Sequence, residues 1–177
     1  MVLMSRWQKN YELIDPFCGS GTILIEAAMI MNNIAPGVNR KFVCETWPTM
    51  PDYVFNQVRE GAKRAEKKKD IKLIGYDIDT WVLRTAENNA FKAGVYDYID
   101  FQKRDVKDFS SSKKYGFIIT NPPYGERLGE KETAERLNAI LGKHKRNYPL
   151  WDYNVLTSFE GFERAFGTKA TKNRKLY

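Results

Sequence analysis

Asn121-Pro122-Pro123-Tyr124 directly follows an apolar run, and its residue types suit the holding of an amino group on a flat ring. Such an amino group offers two N–H donors, while its lone pair is delocalised into the ring. The Asn121 side-chain oxygen and a proline carbonyl, that of Pro122, can each accept one hydrogen. Two accepted bonds pull the nitrogen toward tetrahedral geometry and turn its lone pair toward an electrophile. Prolines stiffen the loop and bring carbonyls without competing donors. Tyr124, with Pro123 beside it, can stack on the plane of an extruded or single-stranded base. The plain alternative is a proline-rich turn with a core tyrosine.

Three other segments end in polar or glycine-rich signals. Asp15-Pro16-Phe17-Cys18-Gly19-Ser20-Gly21-Thr22 reads as a strand end, a tight turn and a helix start. Glycines there allow close backbone approach to a ligand, and the helix start offers free N–H groups to an anion. The Gly-Lys-Ser/Thr ending of a nucleotide-triphosphate loop is missing, which disfavours a P-loop; an amino-acid carboxylate fits these donors equally well, and Asp15 can then meet its ammonium. A bare tight turn is the competing reading. Asp77, in Gly75-Tyr76-Asp77-Ile78-Asp79, either accepts from both hydroxyls of a ribose or caps the next helix. Ile78 can cover one face of an adenine ring, and Asp79 reads as the cap of the helix at Trp81. Asp105 either accepts from an adenine amino group or is a turn residue, and Asp108 reads as a solvated loop residue.

These segments need elements to hold them. Short extended runs at residues 11–15, 72–76, 98–102, 115–120 and 150–157 alternate with helical stretches at 22–32, 81–93 and 130–144. The order predicts an α/β, doubly wound, mostly parallel sheet, whose ligands lie beyond the carboxyl ends of the strands. The gap from Gly21 to Asp77 far exceeds the roughly twenty residues of a dinucleotide fingerprint, which places an insertion at about residues 33–70. Within it, Pro36, Gly37, Pro48 and Pro51 predict irregular chain, and residues 52–69 a helix with a solvated basic face. Residues 161–166 predict a short turn or helix, and residues 168–177 the start of a hairpin that is cut off at Tyr177.

Composition sets outer bounds. The 177 residues suit one domain, and a net charge of +7 leans toward a polyanion partner. The two cysteines, Cys18 and Cys44, have no zinc spacing and are too few for a disulfide framework, which points to the reducing cytoplasm and to no metal. No apolar run reaches the length of a membrane span. Residues 1–7 read as the tail of a helix entering the first strand rather than a signal peptide, a hint that the domain begins upstream. His144, set in Lys143-His144-Lys145-Arg146, is expected at the surface. Cys18 is expected to pack, as are Trp47 and Trp81, while Trp151 belongs to the fifth strand. The stretch 143–146 and the tail residues Lys169, Lys172, Arg174 and Lys175 either touch RNA phosphates or are plain solvated surface.

Taken with Ile25-Glu26-Ala27-Ala28, Asn33-Ile34-Ala35-Pro36-Gly37 and Tyr153-Asn154-Val155-Leu156-Thr157, the four motifs, the last running on as Asn121-Pro-Pro-Tyr-Gly-Glu-Arg, resemble the class I S-adenosylmethionine-dependent methyltransferases. More narrowly they are similar to the THUMP-containing RNA guanine-N2 methyltransferases that modify bacterial 23S ribosomal RNA. The resemblance spans nearly the whole chain. It implies a Rossmann-like fold with a C-terminal antiparallel hairpin, S-adenosyl-L-methionine as cofactor, and RNA as partner. It implies that Asp15, Phe17, Gly19, Ser20 and Gly21 line the methionine end of the cofactor, and that Asn121 also borders it. Asp77 would bind the ribose, Ile78 would flank the adenine, and Asp105 with the Val106 backbone would bind the adenine edge. Asn121, Pro122, Pro123 and Tyr124 would hold the target base. The chain departs from the family in lacking the upstream THUMP domain, so it is expected to be a single catalytic domain excised from a longer protein. Adenine-N6 methylation of DNA or RNA, glutamine methylation and an inactive RNA-binding scaffold stay open. A nicotinamide oxidoreductase is disfavoured by the displaced acidic residue and the glycine spacing.

Overall fold

In the computed structural model, which describes residues 1–125 and 131–175, the apolar runs become five short strands of one sheet. They are β1 (Glu12–Asp15), β2 (Leu73–Asp77), β3 (Ile99–Lys103), β4 (Gly116–Thr120) and β5 (Trp151–Val155). Their spatial order is β3-β2-β1-β4-β5, and every pairing is parallel. From β1 the chain steps outward through β2 to β3, then returns to β4 and continues to β5. The order therefore reverses between β1 and β4, where such sheets open a crevice.

The helices are α1 (Val2–Ser5), α2 (Thr22–Asn32), α3 (Asp52–Arg64), α4 (Thr80–Lys92), α5 (Lys131–Asn147) and α6 (Phe162–Phe166). Helices on both faces leave β4 buried along its whole length, which is why Gly-Phe-Ile-Ile-Thr carries no alternation. One core layer gathers Leu13, Leu24, Leu73, Leu83 and Ile119. The other gathers Ile14, Tyr76, Phe109, Ile118 and Trp151. Gly75 sets the spacing of α2 on β2, since a Cβ there would lie 2.8 Å from Leu24 and 2.9 Å from Phe101.

Residues 33–70 add no strand to the sheet. Both ends of this excursion are pinned at one place. Lys67 N–H donates to the Asn32 carbonyl (2.7 Å), Lys69 N–H to the Asn32 side chain (2.9 Å), and Asn33 Nδ2 to the Ala65 carbonyl (2.9 Å). These bonds also correct one expectation: α3 stops at Arg64 instead of reaching Lys69, because the basic run is drawn back to buried Asn32. Two tryptophans expected in the core are exposed, Trp47 by 55% and Trp81 by 75%, while Trp7 and Trp151 are buried. The expected C-terminal hairpin is not formed by residues 168–175, which carry no strand. Glu126 and Arg127 of the extended motif, the expected helix start at Glu130, and Tyr177 lie outside the described residues.

Candidate active site

Parallel strands bring Asp15, Asp77, Asp105 and Asn121 to the same end of the sheet. Asn121 and Asp77 flank β1 from either side, two strand spacings or roughly 10 Å apart. The glycine turn after β1 is stitched to β2. Cys18 N–H donates to the Tyr76 carbonyl (2.9 Å) and Gly19 N–H to Asp77 Oδ2 (3.1 Å). Asn89 on α4 donates to the Ser20 carbonyl (3.1 Å).

The two turn glycines do different work. Gly19 has φ +53°, and a Cβ there would meet nothing within 4 Å, so it borders open space above the sheet. Gly21 has φ +83° and is buried, with Ala86 and Phe101 side chains 3.1 Å from where its Cβ would be. It lets the start of α2 press against α4 and β3. No side chain caps α2, so its first amides lack a capping side-chain acceptor. Phe17 packs against the cluster of Val106, Leu141 and Phe166.

Asp15 lies beneath this turn rather than in it. It is 1% exposed and accepts from Thr120 Oγ1 (2.6 Å) and Phe17 N–H (3.1 Å). Burial raises its carboxyl to about 7, the bonds from Thr120 and Phe17 pull it down, and the charge of Asp77 adds to the rise. Burial also pushes the Cys18 thiol up, helped by Asp15 and Asp77, which keeps it a thiol and no nucleophile.

Asp77 does not cap α4. Its Oδ1 accepts from Asp79 N–H (3.0 Å), and Asp79 makes the cap itself by accepting from Trp81 N–H (2.8 Å). Each Asp77 oxygen takes one backbone bond and retains a further lone pair, while Ile78 stands 66% exposed at the rim. Asp105 caps the short 3-10 turn Val106–Asp108 through Lys107 N–H (2.9 Å) and pairs with the Lys107 ammonium (3.3 Å). The Lys107 backbone bond holds its carboxyl below the usual range, aided by the Lys107 side chain.

His144 is a correction. It is 6% exposed, not a surface residue, with Nε2 2.7 Å from the Val106 carbonyl and its ring edge-on to Phe109. Helical spacing explains this: Ala134, Leu137, Leu141 and His144 share the inner face of α5, and the flanking Lys143, Lys145 and Arg146 obscured it.

Beyond β4, Asn121 and Pro123 are exposed, Pro122 is buried and Tyr124 is half-buried. The Tyr124 hydroxyl donates to the Asn121 side-chain oxygen. Next to Tyr124 opens a cavity of about 640 Å³, lined also by Gly125, Lys131, Arg164 and residues 158–161 after β5. The β5–α6 loop carries no motif of its own, so its place beside Tyr124 comes only from the fold.

Ribosomal RNA large subunit methyltransferase K/L of Shewanella amazonensis (strain ATCC BAA-1098 / SB2B) is 41% identical over 184 residues, covering 100% of this chain and 26% of that protein. The crystal structure of a predicted N6-adenine-specific DNA methylase from Listeria monocytogenes matches with a TM-score of 0.95 and 45% identity, over 99% of this chain and 47% of that one. SMU.472, solved as a complex with SAH, matches with a TM-score of 0.91 and 39% identity, again over 99% and 47%. The chain thus spans less than half the length of each of these relatives. The fold is the Rossmann-like α/β methyltransferase fold. Over residues 1–177 the chain matches UPF0020, described as RMKL-like, methyltransferase domain, and it belongs to that family.

Proposed function

We propose that this chain transfers a methyl group from S-adenosyl-L-methionine to an exocyclic amino group of an RNA base, guanine N2 of 23S ribosomal RNA. The observation that carries the reading is the position of Asn121-Pro122-Pro123-Tyr124 across the sheet's reversal from the glycine turn. In this reading residues 1–177 are one catalytic domain, with residues 33–70 as an insertion, and RNA contacts also come from parts of the whole protein outside it.

The cofactor fits the residues present. The uncapped start of α2 and the open side of Gly19 suit an amino-acid carboxylate. Asp77 has lone pairs for ribose hydroxyls, and Ile78 has an exposed apolar face for a purine. Phe17 and Ser20 complete the turn, Gly21 packs it, and Asp105 with Val106 closes the adenine side. When bound, S-adenosylmethionine supplies an electrophilic methyl group on a sulfonium. The protein's part is orientation and electrostatics. The incoming amino group replaces the Tyr124 hydroxyl at the Asn121 oxygen and gives its second hydrogen to the Pro122 carbonyl. Tyr124, released, stacks on the base with Pro123 beside it. The nitrogen becomes acidic as it is alkylated, so its proton passes to water and no strong protein base is needed.

Adenine N6 is the second reading. The Asn-Pro-Pro-Tyr geometry serves it equally, and the Listeria structure is named for that activity. Calorimetry of the chain with S-adenosylmethionine, with Asp77→Ala as control, tests the cofactor site. Saturable binding that the control loses supports it, and no binding by the parent chain refutes it. Digestion of RNA methylated by the chain to nucleosides then separates N2-methylguanosine from N6-methyladenosine.

A further inference from the structure

The cavity beside Tyr124 is roomy enough for a nucleotide and has a definite polarity. One wall is the motif loop, Tyr124 and Gly125. The loop after β5, which is tightly held, also lines it. Phe159 is buried, its N–H donates to Thr157 Oγ1 (3.0 Å), and its carbonyl accepts from Phe162 N–H (3.0 Å). Gly161 fits closely, since a Cβ there would lie 2.9 Å from the Phe159 ring. Glu160 thus stands on a fixed turn and lines the cavity.

Three charged side chains line this space. Arg164 is engaged by Glu135 at 3.4 Å. Among the described residues, Glu160 and Lys131 have no hydrogen-bond or ion-pair partner, so the cavity offers one unpaired acceptor and one unpaired donor. We infer that Glu160 selects guanine over adenine by accepting the guanine N1–H, with Lys131 donating to O6. This deepens the function proposed above and rests on the target base entering beside Tyr124.

The argument is one of complementary edges. Guanine presents in sequence an N2 amino group, an N1–H donor and an O6 acceptor. With N2 on Asn121 and Pro122, the next atoms along the edge need an acceptor and then a donor, as Glu160 and Lys131 supply. Adenine held by its amino group presents N1 as an acceptor, and a carboxylate facing it is repelled. A hydrogen bond to an ionised group contributes about 1.5–3 kcal/mol, or roughly 10–100-fold in affinity.

The experiment titrates guanosine, inosine and adenosine 5′-monophosphates into the chain saturated with S-adenosylhomocysteine, using the parent, Glu160→Gln and Lys131→Met. Inosine keeps the N1–H and O6 edge but lacks the amino group, so it reports on Glu160 independently of Asn121. The expected result is that guanosine and inosine monophosphates bind at least ~10-fold tighter than adenosine monophosphate. Glu160→Gln should narrow the gap between inosine and adenosine monophosphates severalfold, because an amide can turn to meet either edge, leaving only the advantage that Lys131 gives to O6, while S-adenosylhomocysteine affinity stays unchanged. Lys131→Met should weaken both O6-bearing nucleotides. A preference over adenosine monophosphate that Glu160→Gln leaves undiminished overturns the inference, and so does a parent chain that binds S-adenosylhomocysteine but shows no preference or no nucleotide binding. Failure to bind S-adenosylhomocysteine at all would instead refute the cofactor site itself.

Discussion

The Thr120 hydroxyl donates to the buried Asp15 carboxyl at 2.6 Å, joining the ends of β1 and β4 where the strand order reverses. Burial lifts this carboxyl to about 7 from its ordinary 3.8. Between those values the folded protein keeps a proton that the unfolded chain has released. The stability it supplies is fully present below the ordinary value and is lost as pH rises toward about 7, a loss of at most about 4 kcal/mol. Asp15→Asn retains an oxygen for Thr120 and for Phe17 N–H but cannot ionise. Melting curves across this range should show the parent losing stability relative to the variant as pH rises, on top of the opposite trend that both share through His144. Parallel curves would show that Asp15 is not the titrating group.

Asp77 joins the glycine turn to β2 through Gly19 N–H, so it shapes the turn as well as offering itself to a ligand. The two roles separate by substitution. Asp77→Asn keeps one acceptor for Gly19 but loses the charge, and should weaken S-adenosylmethionine binding by roughly 10-fold. Asp77→Ala also frees the turn and should weaken binding by about 100-fold or more. Equal losses in calorimetry would mean that the link to Gly19 contributes nothing to the site.

Much of this arrangement was legible because each strand has a simple form, an apolar run ended by a polar or glycine signal. The ends of β1, β2 and β4 each fall within a residue of the expected place, since a strand buried on both faces has nothing apolar to add once it leaves the sheet. Features that depend on distant partners were hidden. The early end of α3 depends on Asn32, far back in the chain. Trp81 looked like core by residue type, yet α4 buries Leu83, Ala86 and Ala90 and leaves Trp81 on its outer side beside Arg84. Asp105 and Asp77 are alike locally. Only the fold shows that one closes its own turn through Lys107 while the other reaches across to Gly19. The cavity wall at Glu160 depends on β5 pairing with β4, which no local pattern at residues 158–161 announces.

His144 gives a pH effect of opposite sign to that of Asp15. Burial lowers its pKa below 6.5, the Val106 carbonyl opposes this, and the charge of Lys143 adds to the lowering. The unfolded chain therefore takes up a proton that the folded chain refuses, so stability is present above 6.5 and is lost as pH falls below it. His144→Gln can still donate to the Val106 carbonyl but has no charge to gain. Urea denaturation should show the parent losing more stability than the variant between about pH 7 and pH 5, with the two close at the upper end. Because Val106 sits at the adenine side of the proposed cofactor site, His144→Ala should also raise the Kd for S-adenosylmethionine, and His144→Gln should restore most of it. A variant that unfolds less readily in acid but binds cofactor like the parent would confine His144 to the core. Recovery of binding by glutamine would make it a positioning residue for the Asp105–Val106 turn.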